Sequence, residues 1–252
     1  CVAVPCHSFA SEIPQPDPIK GICRSCYKWK NEKGKEKRME YSDLMIFIME
    51  MLGTVAFASS GAMLGIERKM DIFGVNVLGV TTAVGGGIIR DLILGINPPV
   101  TFLHAVYALA AVITSTLLFL AVYIRNQVFS GNIARWYDRI MLLCDTIGLG
   151  IFTVVGSYAA VAAGYQDNHF LVVFVGVITG VGGGVIRDMM AGTMPYIFVK
   201  HVYAVASIAG GIVFIVLYPY TGRIVGMMTG AGVVCSIRFL AAYYRWNLPR
   251  IH

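Results

Sequence analysis

An all-α membrane protein of seven transmembrane helices, two inverted three-helix repeats plus one extra helix, is the fold class that this 252-residue sequence predicts. Three observations lead there. Hydrophobic residues make up 57% of the chain and charged ones 13%, with a mean hydropathy of +0.70. One soluble core cannot hide that much apolar surface, so a bilayer is the solvent. Apolar stretches near the length of about 20 residues that a spanning helix needs recur along the chain from residue 44 onward. Finally, Gly85-Gly86-Gly87-Ile88-Ile89-Arg90-Asp91 returns as Gly182-Gly183-Gly184-Val185-Ile186-Arg187-Asp188, with Gly95 matched by Gly192.

Residues 1–38 are a different material from the rest. They hold Pro5, Pro14, Pro16 and Pro18, and the run from Lys20 to Arg38 carries eight of the 20 lysines and arginines. With no apolar stretch long enough for a span, they read as a basic disordered tail. Met39 opens a stretch, Met39-Glu40-Tyr41-Ser42-Asp43-Leu44, that resembles a natural start, so the tail is either native or upstream read-through. Cys23 and Cys26 have the C-x-x-C spacing of half a zinc knuckle, but Cys1, Cys6 and His7 do not repeat it, and no metal or other cofactor is expected. Cys144 and Cys235 sit alone in apolar stretches and read as buried reduced thiols.

The predicted spans cover 44–65, 72–96, 103–124, 140–163, 170–192, 200–219 and 223–244. Glu67-Arg68-Lys69, Asn97-Pro98-Pro99, the segment from Arg125 to Arg139, Gln166-Asp167-Asn168-His169, Pro195 and Pro219 punctuate them. The repeat match extends on both sides of the glycine motif. Glu50, Gly53, Phe57 and Gly61 align with Asp145, Gly148, Phe152 and Gly156, and Pro99, Phe102, Val106 and Tyr107 align with Pro195, Phe198, Val202 and Tyr203. The repeats therefore occupy 43–125 and 138–220, each with three spans, and 223–245 is the unpaired seventh helix. An odd number of spans per unit forces the second copy to enter the membrane from the opposite side, the inverted plan of many transport proteins. Loop charges give the orientation: Arg68, Lys69, Arg125, Arg135, Arg139, Lys200, Arg238, Arg245 and Arg250 fall on one side and Arg223 on the other. The positive-inside rule then places the C-terminus in the cytoplasm.

The candidate functional residues lie inside the spans. Three consecutive glycines cost a helix about 1 kcal/mol each relative to alanine, and here the triplet occurs twice. Two readings are open for Gly85, Gly86, Gly87 and Gly182, Gly183, Gly184: a helix break that lines a polar pathway, or a site where helices pack closely. Arg90 and Arg187 at membrane depth require partners, for which Asp91, Asp188, Glu50 and Asp145 are available. They either form fixed pairs or line and gate the pathway. Glu50 and Asp145 are the best carboxylates for attracting a cation. Thr54, Ser59, Ser60, Thr81, Thr82, Thr146, Thr153 and Thr179 either line a path or bond back to their own helix. His104 and His201 read as interfacial, and Tyr107 and Tyr203 as packing or belt aromatics. No G-x-S-x-G elbow, H-E-x-x-H or P-loop is present, so no enzyme and no nucleic-acid partner is expected.

The doubled Gly-Gly-Gly-x-x-Arg-Asp-x-x-x-Gly motif, the stretch from Gly53 to Ala62, and Asp71-Ile72-Phe73-Gly74-Val75 resemble the bacterial relatives of the trimeric intracellular cation channels, over about residues 43–245. The resemblance implies a homotrimer in membrane lipid with a pore in each subunit, kinked at the triplets of the second and fifth helices. Such a pore conducts potassium and other monovalent cations. The same domain is also named for glycine transport. The expectation is thus a passive, potassium-type channel of the plasma membrane. The alternatives are a carrier of glycine or another small amino acid, and a non-conducting membrane scaffold, against which the matched intramembrane charges argue. Relatives often have aspartate at the position of Glu50, which is one carbon longer.

Overall fold

The computed structural model describes residues 18–128, 133–199 and 202–244. By contacts the chain forms two units, Cys1–Leu44 and Met45–His252, and the second holds all the packing described below. Among the described residues the regular structure is helical: α1 (Pro18–Glu67), α2 (Ile72–Ile93), α3 (Val106–Val128), α4 (Ile133–Ala160), α5 (His169–Met190), α6 (Tyr203–Thr221) and α7 (Arg223–Tyr243). All seven contain a stretch long and apolar enough to cross a membrane, beginning in α1 at Asp43.

Residues 18–38 form the first part of α1. Pro18 takes the first helical position, where its missing N–H leaves nothing unsatisfied. The segment that follows is rich in lysine and glutamate, good helix formers, and meets no further proline before Pro98. Residues 1–17 lie outside the described residues, as do Lys200, His201 and the segment 245–252, which includes Arg245 and Arg250.

Helix ends repeat as the motifs do. The side chain of Asp71 accepts from the amide of Gly74 at the start of α2, and that of Asn168 accepts from Leu171 at the start of α5. At the other ends Gly95 (φ 73°) and Gly192 (φ 66°) take the left-handed conformation that stops a helix. The amides of Ile96 and Thr193 there donate back to the carbonyls of Asp91 and Asp188. The last glycine of each motif is therefore a helix stop. A short helix follows each stop, Val100–Leu103 and Tyr196–Val199.

Contacts between the repeats show the inversion directly. A Cβ on Gly86 would lie 2.2 Å from the Thr179 carbonyl oxygen, and one on Gly183 would lie 2.2 Å from that of Thr82. As position advances along α2 its partner recedes along α5, so these equivalent helices run antiparallel. Gly53 meets Phe152 and Gly148 meets Phe57 in the same reversed sense, which makes α1 and α4 antiparallel as well. The rings of Phe57 and Phe152 meet at 5.2 Å between the two repeats. Thr82 and Thr179 are each turned back onto their own helix by a 2.6 Å bond to Leu78 and Val175. Both side chains thus stay on their own helices where the opposing glycines approach.

The expected helix break is not there. Both α2 and α5 run as continuous helix through their triplets. The propensity cost of the glycines is offset because the middle glycine of each triplet lets two backbones touch, so close packing is the reading that the structure supports. The seventh helix packs against α4 and α6 through small residues: Gly150 faces Ala231 and Cys235, and Gly210 faces Gly230 and Val234. Among the spans α4 is the most enclosed and α3 the least.

Candidate functional site: two half-sites related by inversion

The Arg-Asp pair of each motif makes one local arrangement twice. Arg90 Nε donates to Asp91 Oδ1 at 2.8 Å, and Asp91 Oδ2 accepts from the amide of Val100 at 2.8 Å. In the second repeat Arg187 Nε donates to Asp188 Oδ1 at 2.8 Å, and Asp188 Oδ2 accepts from the amide of Tyr196, also at 2.8 Å. Val100 and Tyr196 open the two short helices, whose first amides have no partner within the helix. Each aspartate therefore fastens the chain beyond the helix stop and holds its neighbouring arginine. Asp91 and Asp188 are buried. Both oxygens of each are committed to these bonds, and neither residue is among those that line the open pocket.

Beyond that shared clasp the half-sites diverge. In the first, Glu50 accepts the hydroxyl proton of Tyr107. Glu50, Thr54, Gly87, Arg90, Thr101 and Tyr107 line one open pocket between α1, α2, the short helix and α3. In the second, Asp145 is wholly buried, with Oδ1 bound to Arg187 Nη1 at 2.8 Å and Oδ2 facing Arg238 Nη2 at 3.4 Å. Ser60 also accepts from Arg187, and the Arg187 guanidinium lies 5.4 Å from the ring centre of Tyr196. The Arg238 guanidinium covers the ring of Tyr203 at 4.5 Å. Arg187, the largest fully buried side chain among the described residues, is a fixed structural partner. Arg90 is paired too, but it faces the pocket.

Sequence reasoning missed three participants. Tyr107 and Tyr203 read as belt aromatics, yet Tyr107 bonds Glu50 and Tyr203 carries Arg238; their matched positions beside matched acids were the available signal. Arg238, a loop charge by sequence, is buried within α7. Eight positive loop charges then stand against Arg223. Thr54, Ser59, Thr81, Thr82, Thr153 and Thr179 all bond back to their own helices, with Thr54 also lining the pocket. His104 is exposed at the end of the first short helix.

Two inverted repeats of three apolar helices and a seventh helix, with ion pairs at matched repeat positions, define a polytopic membrane protein of inverted-repeat architecture. The chain belongs to the family whose model is described as glycine transporter, which matches residues 47–123 and again 142–219. It is 36% identical over 208 residues to a UPF0126 membrane protein of Vibrio cholerae, covering 81% of each chain. Among solved structures it is similar to one that gives the basis for conductance through TRIC cation channels, at 35% identity and a TM-score of 0.68, over 81% of this chain and 96% of that one. It is also similar to the TRIC trimeric intracellular cation channel orthologue from Rhodobacter sphaeroides, at 28% identity and a TM-score of 0.72, over 80% of this chain and 99% of that one.

Proposed function

We propose that the chain is a passive channel for monovalent cations, potassium above all, acting as a homotrimer in the plasma membrane with its C-terminus in the cytoplasm. The open first half-site carries this reading. It sets two carboxylates, Glu50 and Asp91, against one guanidinium, Arg90, beside a pocket entering the bundle. A formal excess of one negative charge attracts cations there, and the hydroxyls of Thr54, Thr101 and Tyr107 offer oxygens in place of water. The likeness to cation channels over nearly their whole length supports the same reading. The eight remaining positive loop charges, against Arg223, support the orientation.

A second reading, a carrier of glycine or another small amino acid, draws on the same pocket. Glu50 and Arg90 both line it, and they suit the ammonium and carboxylate ends of such a molecule. Glu50→Gln separates the two. The change keeps a polar side chain of similar size and removes an attraction worth about 1 kcal/mol at 4 Å in water. A channel should lose potassium flux in proteoliposomes by roughly fivefold, with normal assembly and no glycine uptake in either protein. Saturable glycine uptake by the parent protein that Glu50→Gln abolishes, without potassium flux, would favour the carrier.

A further inference from the structure

The inverted repeat supplies an internal control for each half-site, and the second gains a charged residue that the repeat does not provide. Formally, Glu50 and Asp91 against Arg90 leave the first half-site at −1. Asp145 and Asp188 against Arg187 would leave the second at −1 too, but Arg238 enters from α7 and brings it to zero. The seventh helix has no counterpart in the first repeat. Where Glu50 faces an open pocket, Asp145 is sealed, and the group over its second oxygen is the Arg238 guanidinium, held flat on the ring of Tyr203. Tyr203 is the repeat equivalent of the Tyr107 that bonds Glu50, and it too interacts with its acid, Asp145.

We infer that Arg238 is a selectivity-determining positioning residue that masks Asp145, so that a cation meets an exposed carboxylate at the first half-site and a neutral, closed cluster at the second. The two ends of the bundle are therefore electrostatically unequal although the repeats are not. This rests on the channel reading for its consequence in conduction, but the masking itself is testable without any current. Arg238 touches Asp145 through the longer contact, 3.4 Å against 2.8 Å for Arg187. Its loss leaves Asp145 still paired, and the cluster retains the two clasps of Arg187.

The test is carboxyl labelling of the full-length protein in proteoliposomes with N,N′-dicyclohexylcarbodiimide, resolved by peptide mass spectrometry, for the parent protein, Arg238→Gln and Arg238→Lys. In the parent, Glu50 should label well ahead of Asp145. In Arg238→Gln, labelling of Asp145 should rise roughly tenfold, the low end of the effect of removing an adjacent opposite charge, and Arg238→Lys should restore protection. Asp188, bound to Arg187 and the Tyr196 amide, should stay protected throughout. Unchanged Asp145 labelling in Arg238→Gln overturns the proposal. So does an equal rise at Asp188, because Arg238 would then hold the whole cluster together rather than mask one acid. In bilayers, Arg238→Gln should shift rectification toward entry from the second half-site. A labelling change in a protein that passes no current would uphold the masking and count against the channel.

Discussion

Gly86→Ala and Gly183→Ala are each expected to destabilise the bundle by about 3 kcal/mol, the upper end of the usual cost of overpacking, while Gly87→Ala leaves it intact. The added methyl at either middle glycine would sit 2.2 Å from a carbonyl oxygen of the opposing helix. Backbone cannot turn aside as a side-chain tip can, so α2 and α5 must separate where the repeats cross. The other triplet positions meet softer surroundings. Gly85 would meet the terminal carbon of Ile186 at 2.7 Å, Gly182 only ordinary contacts at 3.4 Å, and Gly87 nothing nearer than 3.9 Å. At Gly87 the alanine should even stabilise the helix, by up to about 1 kcal/mol. Reversible unfolding in mixed micelles reads the series. A helix-break role predicts instead that all three glycines of a triplet respond alike, and equal losses at Gly86 and Gly87 would contradict the packing account.

The second large effect separates the two arginines. Arg187→Ala should cost about 3–5 kcal/mol, because it strips one partner from a buried cluster and leaves Asp188 charged and short of a bond. Little monodisperse protein should be recovered. Arg90→Ala should cost on the order of 1–2 kcal/mol, since the vacated place opens on the pocket, where water can reach it. The surviving channel then carries one positive charge fewer beside Glu50, and its conductance for cations should rise. Thermal stability in detergent and single-channel current, measured on both variants, check the pair. Equal destabilisation would mean that the open and closed half-sites are not distinct.

The residues that were legible in the sequence are those that recur. Seven spans followed from apolar length, and inversion followed from three spans per repeat; the reversed contacts of Gly86 and Gly183 then display it. Arg187 with Asp145 and Asp188, and Arg90 with Asp91, were among the pairs expected from the cost of charge in lipid. What escaped was whatever depends on a neighbouring helix. The triplets resemble a break when helix propensity is counted along one strand of sequence, because the backbone contact that offsets the cost lies on the other repeat. Arg238 sits near the end of an apolar run, and nothing in its own helix points to Asp145. The asymmetry of the half-sites was hidden for the same reason, since the Arg-Asp clasp is the same in both repeats and α7 intervenes in one only.

Planar-bilayer recording of the purified full-length protein under a potassium gradient, with no amino acid present, tests the central claim most directly. The account predicts discrete unitary currents that reverse near the potassium equilibrium potential, persist without glycine and fall in Glu50→Gln. Electrically silent protein that takes up glycine saturably into liposomes would contradict it.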